Sequence, residues 1–181
     1  MKSKIDGYSA LLHVALVALC IVTTLLALEN HRLKAMMAGP GPGGPVVGQQ
    51  VEPLGWLPLD GEETTLDLAS GDQDSLLLVF TTDCPACREN QDAWKALHED
   101  LGDSVNIVGV SLSELDATLG YRDAHALPFP VGVSTDPGLF TESLAITGVP
   151  MTIRVDSEGR VLGSWTGTLS DVQLAEVAER G

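Results

Sequence analysis

The run Ser75-Leu76-Leu77-Leu78-Val79-Phe80-Thr81-Thr82-Asp83-Cys84-Pro85-Ala86-Cys87-Arg88 joins an unbroken apolar stretch to a pair of cysteines. Ser75 to Thr81 carries no charge and is rich in Leu, Val and Phe, which predicts a short strand buried on both faces. Beyond it, Ala86, Ala93, Trp94, Leu97 and Leu101 recur at the spacing of one helix face, so a helix is predicted from Pro85 to about Leu101. Pro85 suits the first helical position, where a missing N–H costs nothing. Cys84 therefore stands at a helix amino terminus, where unpaired N–H groups and the macrodipole favour a thiolate and lower its pKa below the free value of ~8.5. Cys87 lies one turn later, more buried, placed to attack a mixed disulfide on Cys84. Asp83 adds a negative charge that opposes the thiolate. The other chemistry open to such a pair is a metal site, and tetrahedral zinc wants about four ligands. The domain has no third cysteine, and His98 and His125 are isolated by spacing.

Working outward, Val105 to Val110 reads as a second buried strand, Glu114 to His125 as a helix and Leu139 to Ile146 as a shorter one. Met151 to Val155 and Val161 to Trp165 flank Asp156-Ser157-Glu158-Gly159, a hairpin signal. Ser170 caps a last helix with Leu174, Val177 and Ala178 on its apolar face. Strands alternating with helices, then a hairpin and a helix, predict an α/β fold with a mixed sheet. No internal repeat and no phosphate-binding glycine loop is present.

Upstream, Ala10 to Leu28 is 19 residues without Asp, Glu, Lys or Arg, matching the ~20 a helix needs to cross a bilayer. It is read as a transmembrane anchor behind a tail of residues 1–9. A cleaved signal peptide is the rival, but neither Ala27-Leu28-Glu29 nor Met36-Met37-Ala38 makes a good cleavage site. Lipid attachment at Cys20 is disfavoured because Leu19 puts a bulky side chain where a small residue is wanted; Cys20 reads as a small apolar filler. Lys2 and Lys4 before the segment are balanced by Arg32 and Lys34 after it, so charge sets no orientation. Residues 29–45, ending in Gly39-Pro40-Gly41-Pro42-Gly43-Gly44-Pro45, form a breaker-rich linker, and the domain is expected over 46–181. The chain carries a net −15; from Val46 onward six basic residues stand against 23 acidic ones, a net −17. Such a surface repels nucleic acid and anionic headgroups and favours basic partners or plain solubility.

With strand, Cys84-Pro85-Ala86-Cys87 and helix in place, the domain resembles the thioredoxin superfamily, specifically the membrane-anchored TlpA/ResA-like thiol-disulfide oxidoreductases. Thr147-Gly148-Val149-Pro150-Met151-Thr152-Ile153-Arg154-Val155-Asp156-Ser157-Glu158-Gly159-Arg160-Val161 is similar to the family's G-V-P-T-T-x-x-x-D-x-x-G-x-V segment, with Met151 in place of the first Thr. Glu114 to Leu144, with Leu127-Pro128-Phe129-Pro130-Val131, is similar to its central insertion. The resemblance implies a thioredoxin-like fold, a mixed central sheet flanked by helices, with a TlpA-type insertion and one N-terminal transmembrane helix. It implies Cys84 as nucleophile, Cys87 as resolving thiol and Pro150 as a cis-proline facing them, with Val149, Pro85 and Ala86 touching the partner. No cofactor is implied beyond a redox-active Cys84–Cys87 disulfide. The implied partners are thiols or disulfides of periplasmic clients and a membrane electron donor of the DsbD/CcdA kind. The implied location is a bacterial inner membrane, single-pass, with the catalytic domain in the periplasm. Reduction of clients in the maturation of cytochrome c, or of another periplasmic redox or metal protein, is the expected role. The alternative is a thioredoxin-like metallochaperone or binding module with Cys84 and Cys87 as ligands. Three positions depart from the pattern: Asp83 stands where Trp is common, Leu78 where thioredoxins bury a carboxylate, and Asn90 where ResA-like members carry Glu. Glu89, next to Asn90, is then the candidate for proton transfer.

Overall fold

A computed structural model describes residues 13, 16–20, 22–24, 26, 43–69 and 71–179. The chain divides into two units, Met1–Gly39 and Pro40–Gly181. In the first, residues 13, 16–20, 22–24 and 26 are helical, and Leu16, Val17, Leu19, Val22 and Leu26 are exposed. Among the described residues no helix is long and apolar enough to cross a membrane. Nine of the 19 residues of the expected anchor over 10–28 fall outside them, as do the tail 1–9 and linker residues 29–42.

The second unit carries one seven-stranded sheet. Its elements run β1 (Leu54–Pro58), β2 (Thr64–Leu66), β3 (Asp74–Phe80), α1 (Pro85–Glu89), α2 (Gln91–Leu101), β4 (Val105–Ser111), α3 (Leu115–His125), β5 (Val131–Ser134), α4 (Pro137–Ser143), β6 (Met151–Val155), β7 (Val161–Thr166) and α5 (Asp171–Glu179). The strand order is β2-β1-β5-β4-β3-β6-β7, with β3, β4 and β5 parallel to one another and the remaining pairs antiparallel. The sheet is mixed, as expected.

β3 is the centre because its alternate residues feed two cores. Leu76, Leu78 and Phe80 join Trp94 and Leu97 of α2, Tyr121 of α3 and Val177 of α5. Leu77 and Val79 join Phe140 of α4 and Val51, Leu54, Leu66 and Leu68 from the amino-terminal side. Each fully buried Leu, Val or Phe contributes about 1.5–3 kcal/mol of transfer free energy, so a strand packed on both faces is pinned in register. The chain leaves β3 at the end where β6, running antiparallel, begins, so the turn after Phe80 and the loop before Met151 share one edge.

The hairpin turn is built as its sequence requires. Asp156 Oδ1 accepts from the N–H groups of Glu158 (3.0 Å) and Arg160 (2.8 Å), and Gly159 takes φ +83°, a conformation open to glycine. Ser170 and Gln173 cap α5 reciprocally: Ser170 Oγ accepts from Gln173 N–H at 3.4 Å and Gln173 Oε1 from Ser170 N–H at 2.9 Å. Of the apolar face expected on α5, Val177 is buried, while Leu174 and Ala178 are half-buried. The helix expected over Leu139–Ile146 lies earlier, at Pro137–Ser143, because Asp136 caps it by accepting from Leu139 N–H at 2.9 Å. The single helix expected from Pro85 is interrupted at Asn90, whose buried side chain turns inward to accept from Leu169 N–H at 2.8 Å.

The packed domain also begins before Val46. Pro45 is buried, and its carbonyl accepts from Ser164 Oγ of β7 at 3.0 Å, so the end of the Gly/Pro run belongs to the fold.

Candidate active site

Thr81 to Asp83 carry the chain from the end of β3 into α1, and Cys84 is that helix's N-cap, with φ −78° and ψ 116°. Its Sγ accepts from the backbone N–H of Cys87 at 3.2 Å, filling the capping role usually taken by a side-chain oxygen. Pro85 occupies the first turn and is exposed, Ala86 is half-buried, and the two lie at the lip of the site. Cys84 is half-buried and Cys87 fully buried, both as free thiols. On the facing loop the Val149–Pro150 peptide is cis. The Cys84 thiol donates to the Val149 carbonyl at 3.6 Å. Cys84, Cys87 and the Val149-Pro150 segment thus come together, although 62 residues of chain or more separate the dithiol from the loop.

Burial pushes the Cys87 thiol up to about 12, helped by its hydrogen bond with Cys84 and by the negative charge of Asp83, while a hydrogen bond with the Thr81 backbone pulls partly the other way. Asp83 is itself exposed. Leu78 is fully buried on β3, an aliphatic side chain in the core shared with Trp94. Glu89 was expected as the candidate for proton transfer. It is solvent-exposed and two residues along the helix from Cys87, and such neighbours do not share a face. Asn90, three residues along, is fully buried, with Oδ1 bound to Leu169 N–H and Nδ2 without a partner.

Several residues at this end carry no local signal in the sequence. Tyr121 lies on α3, stacked on Phe80 with centroids 5.1 Å apart, and its hydroxyl accepts from Gln91 Nε2 at 2.6 Å. Burial raises the Tyr121 pKa, and the two thiols add to the effect. Ser113, just after β4, accepts from Thr82 N–H at 3.1 Å and from Thr82 Oγ1 at 3.2 Å, holding the turn that delivers Cys84. Ser111 accepts from Ser113 N–H at 3.1 Å and from Thr118 Oγ1 at 2.8 Å, extending that support to α3. A serine on a loop gives no sign of this until the parallel strands β3 and β4 bring it beside Thr82. Among the described residues no group of three or more His, Cys, Asp or Glu side chains is placed to hold a metal ion.

No family model and no curated protein matches the chain. Solved structures do. The thioredoxin domain of a thiol-disulfide oxidoreductase from Bacteroides vulgatus is similar at 18% identity and a TM-score of 0.64, covering 75% of this chain and 96% of that one. A thiol:disulfide interchange protein from Bacteroides sp. is similar at 19% identity and a TM-score of 0.64, covering 75% of this chain and 90% of that one. MTB dsbF, solved in its mixed oxidised and reduced forms, is similar at 20% identity and a TM-score of 0.60, covering 70% of this chain and 94% of that one. The domain has a thioredoxin-like fold.

Proposed function

We propose that this chain is a membrane-tethered thiol-disulfide oxidoreductase that exchanges disulfides with periplasmic client proteins through Cys84 and Cys87, acting as a reductant. The observation that carries the reading is the placement of Cys84: its sulfur caps α1, bonds Cys87 N–H at 3.2 Å and lies 3.6 Å from the carbonyl of Val149. That arrangement lets one sulfur be attacked in line while the neighbouring loop pairs with the client backbone. The structural likeness to oxidoreductases and interchange proteins supports it.

In the reducing direction Cys84, as thiolate, attacks one sulfur of a client disulfide; the client S–S bond breaks, and the second client sulfur leaves and takes up a proton. Cys87 then gives up its proton and attacks Cys84 Sγ, expelling the first client sulfur, which ends as a thiol. Two electrons and two protons have moved to the client, and Cys84–Cys87 is left as a disulfide for a membrane thiol donor of the DsbD/CcdA kind to reduce. Asp83 and burial both disfavour the Cys87 thiolate. The reduced form thus gains nothing from ionisation of Cys87, which supports a potential toward the reducing end of the roughly −270 to −120 mV spanned by this fold. Residues 10–28 supply the anchor, and cytochrome c maturation or assembly of another periplasmic redox or metal protein is the setting.

The test is a Cys87→Ala chain expressed in its own host. Clients should accumulate as mixed disulfides on Cys84, visible as reductant-sensitive adducts, and a Cys84→Ser, Cys87→Ala double variant should hold none. If the single variant captures nothing and the purified wild-type protein does not reduce oxidised glutathione, the reading fails.

A further inference from the structure

Gly43 to Pro45 reads as the end of a featureless linker, yet each residue is fitted to the domain. Pro45 is buried and bonded through its carbonyl to Ser164 Oγ at 3.0 Å. A Cβ on Gly44 would stand 3.1 Å from Met151 Cε and 3.2 Å from Ser164 Oγ. A Cβ on Gly43 would collide with Thr147 Oγ1, and Gly43 has φ +135°, so glycine is required there by space and by backbone alike. Thr147 and Met151 are the two shoulders of the Gly148–Pro150 loop, whose Val149 carbonyl lies 3.6 Å from Cys84 Sγ. The segment therefore braces both ends of the loop that faces the dithiol, and β7 supplies its anchor through Ser164.

We propose that Gly43–Pro45 is a positioning strap for client recognition: it fixes Thr147 and Met151, and through them the Val149 backbone against which a client's cysteine segment lies. The inference rests on the oxidoreductase reading above and deepens it. A small disulfide needs only the two sulfurs, whereas a protein client must also lie along Val149, so the strap acts on protein clients alone. Displacement of a positioning element by about 1 Å can cost up to about a hundredfold in rate, so partial loosening of the loop should be readily measurable.

The experiment uses the full-length chain, reduced, as wild type, Gly43→Ala and Ser164→Ala, with insulin as the protein disulfide and bis(2-hydroxyethyl) disulfide, which has no peptide backbone, as the small one. The expected result for Gly43→Ala is a KM for insulin raised about tenfold, with the small-disulfide rate constant and the equilibrium constant against glutathione within about twofold of wild type. Ser164→Ala, which removes only the hydrogen bond to Pro45, should move the insulin KM the same way by about threefold, and it decides the matter if Gly43→Ala does not fold. Insulin kinetics unchanged in the folded variants would overturn the proposal, as would insulin and small-disulfide rates falling together, the mark of a purely structural segment. A wild-type protein inert toward insulin and the small disulfide alike would instead bring down the oxidoreductase reading itself.

Discussion

Cys87 is the residue whose environment departs most from that of a free thiol. Burial and the Cys84 hydrogen bond raise its pKa from 9.0 to about 12, so the folded chain keeps a proton that the unfolded chain loses above the lower value. Stability from this group is whole below pH 9, and it drains away as the pH climbs toward 12, by about 1.4 kcal/mol per pH unit within that window. Between about pH 8 and pH 10 the reduced wild type should therefore lose about 1 kcal/mol more stability than Cys87→Ala, read as the difference in their urea midpoints. Equal slopes would mean that Cys87 titrates like an exposed thiol. The cysteine pair and the Val149-Pro150 segment were legible in the sequence because each carries its signal in adjacent residues. Tyr121, Gln91 and Ser113 were not, because what recruits them is contact across the fold: a phenol stacked on Phe80, an amide reaching that phenol and a hydroxyl delivered by a parallel strand. Glu89 adjoins the dithiol along the chain and is exposed to solvent on the helix.

Elements with a full apolar run or a clear period were read close to their observed bounds, β3, β4, α3 and the β6–β7 hairpin among them. β1 and β2 escaped notice: Leu54–Pro58 mixes Gly and Pro into five residues, and Thr64–Leu66 is three residues long, too short for any period to show. They are strands because β5 and each other supply the missing hydrogen bonds. The end of α5 shows the same dependence on tertiary structure. Arg154, on a strand whose five residues are all buried, sends Nη1 to the carbonyls of Val177 and Ala178 and Nη2 to Asp74 at 3.1 Å. It pairs the start of β3 with the carboxy terminus of a helix, where carbonyls lack partners and positive charge is favoured. Arg154→Met would strand those carbonyls and a half-buried carboxylate and should cost about 2–4 kcal/mol, measured by urea denaturation. Arg154 is in register with Leu76, near the far end of β3 from Cys84. The alkylation rate of Cys84 in the folded variant should therefore stay within about twofold of wild type, since the helix-capped thiol is untouched. A parallel fall in Cys84 reactivity would show that the two ends of the sheet are not independent.

At the scale of the whole molecule, charge separates this domain from a neutral scaffold: six basic against 23 acidic residues from Val46 onward. Three of those basic groups are paired with acids, Arg154 with Asp74, Arg122 with Asp60 and Asp123, and Arg160 with Glu158, and the field around the domain is strongly negative. A field of that sign acts on encounter more than on chemistry. It draws positively charged proteins toward the surface, turns acidic ones away, and is screened within about 8 Å at physiological ionic strength. The dithiol lies within that field at a lip whose acid, Asp83, is exposed. Discrimination among clients is thus expected in the bimolecular step and expected to be salt-dependent. Two protein disulfides of similar size and opposite net charge, offered to the reduced chain, should differ in kcat/KM by about tenfold or more at low salt in favour of the basic one. The gap should close to within about twofold near 0.5 M salt. Bis(2-hydroxyethyl) disulfide, small and uncharged, serves as the internal control and should vary little over the same range. A preference for the basic client that persists unchanged at high salt would place selection in short-range contacts along the Val149 loop, and an absence of preference at low salt would reduce the acidic surface to a means of solubility.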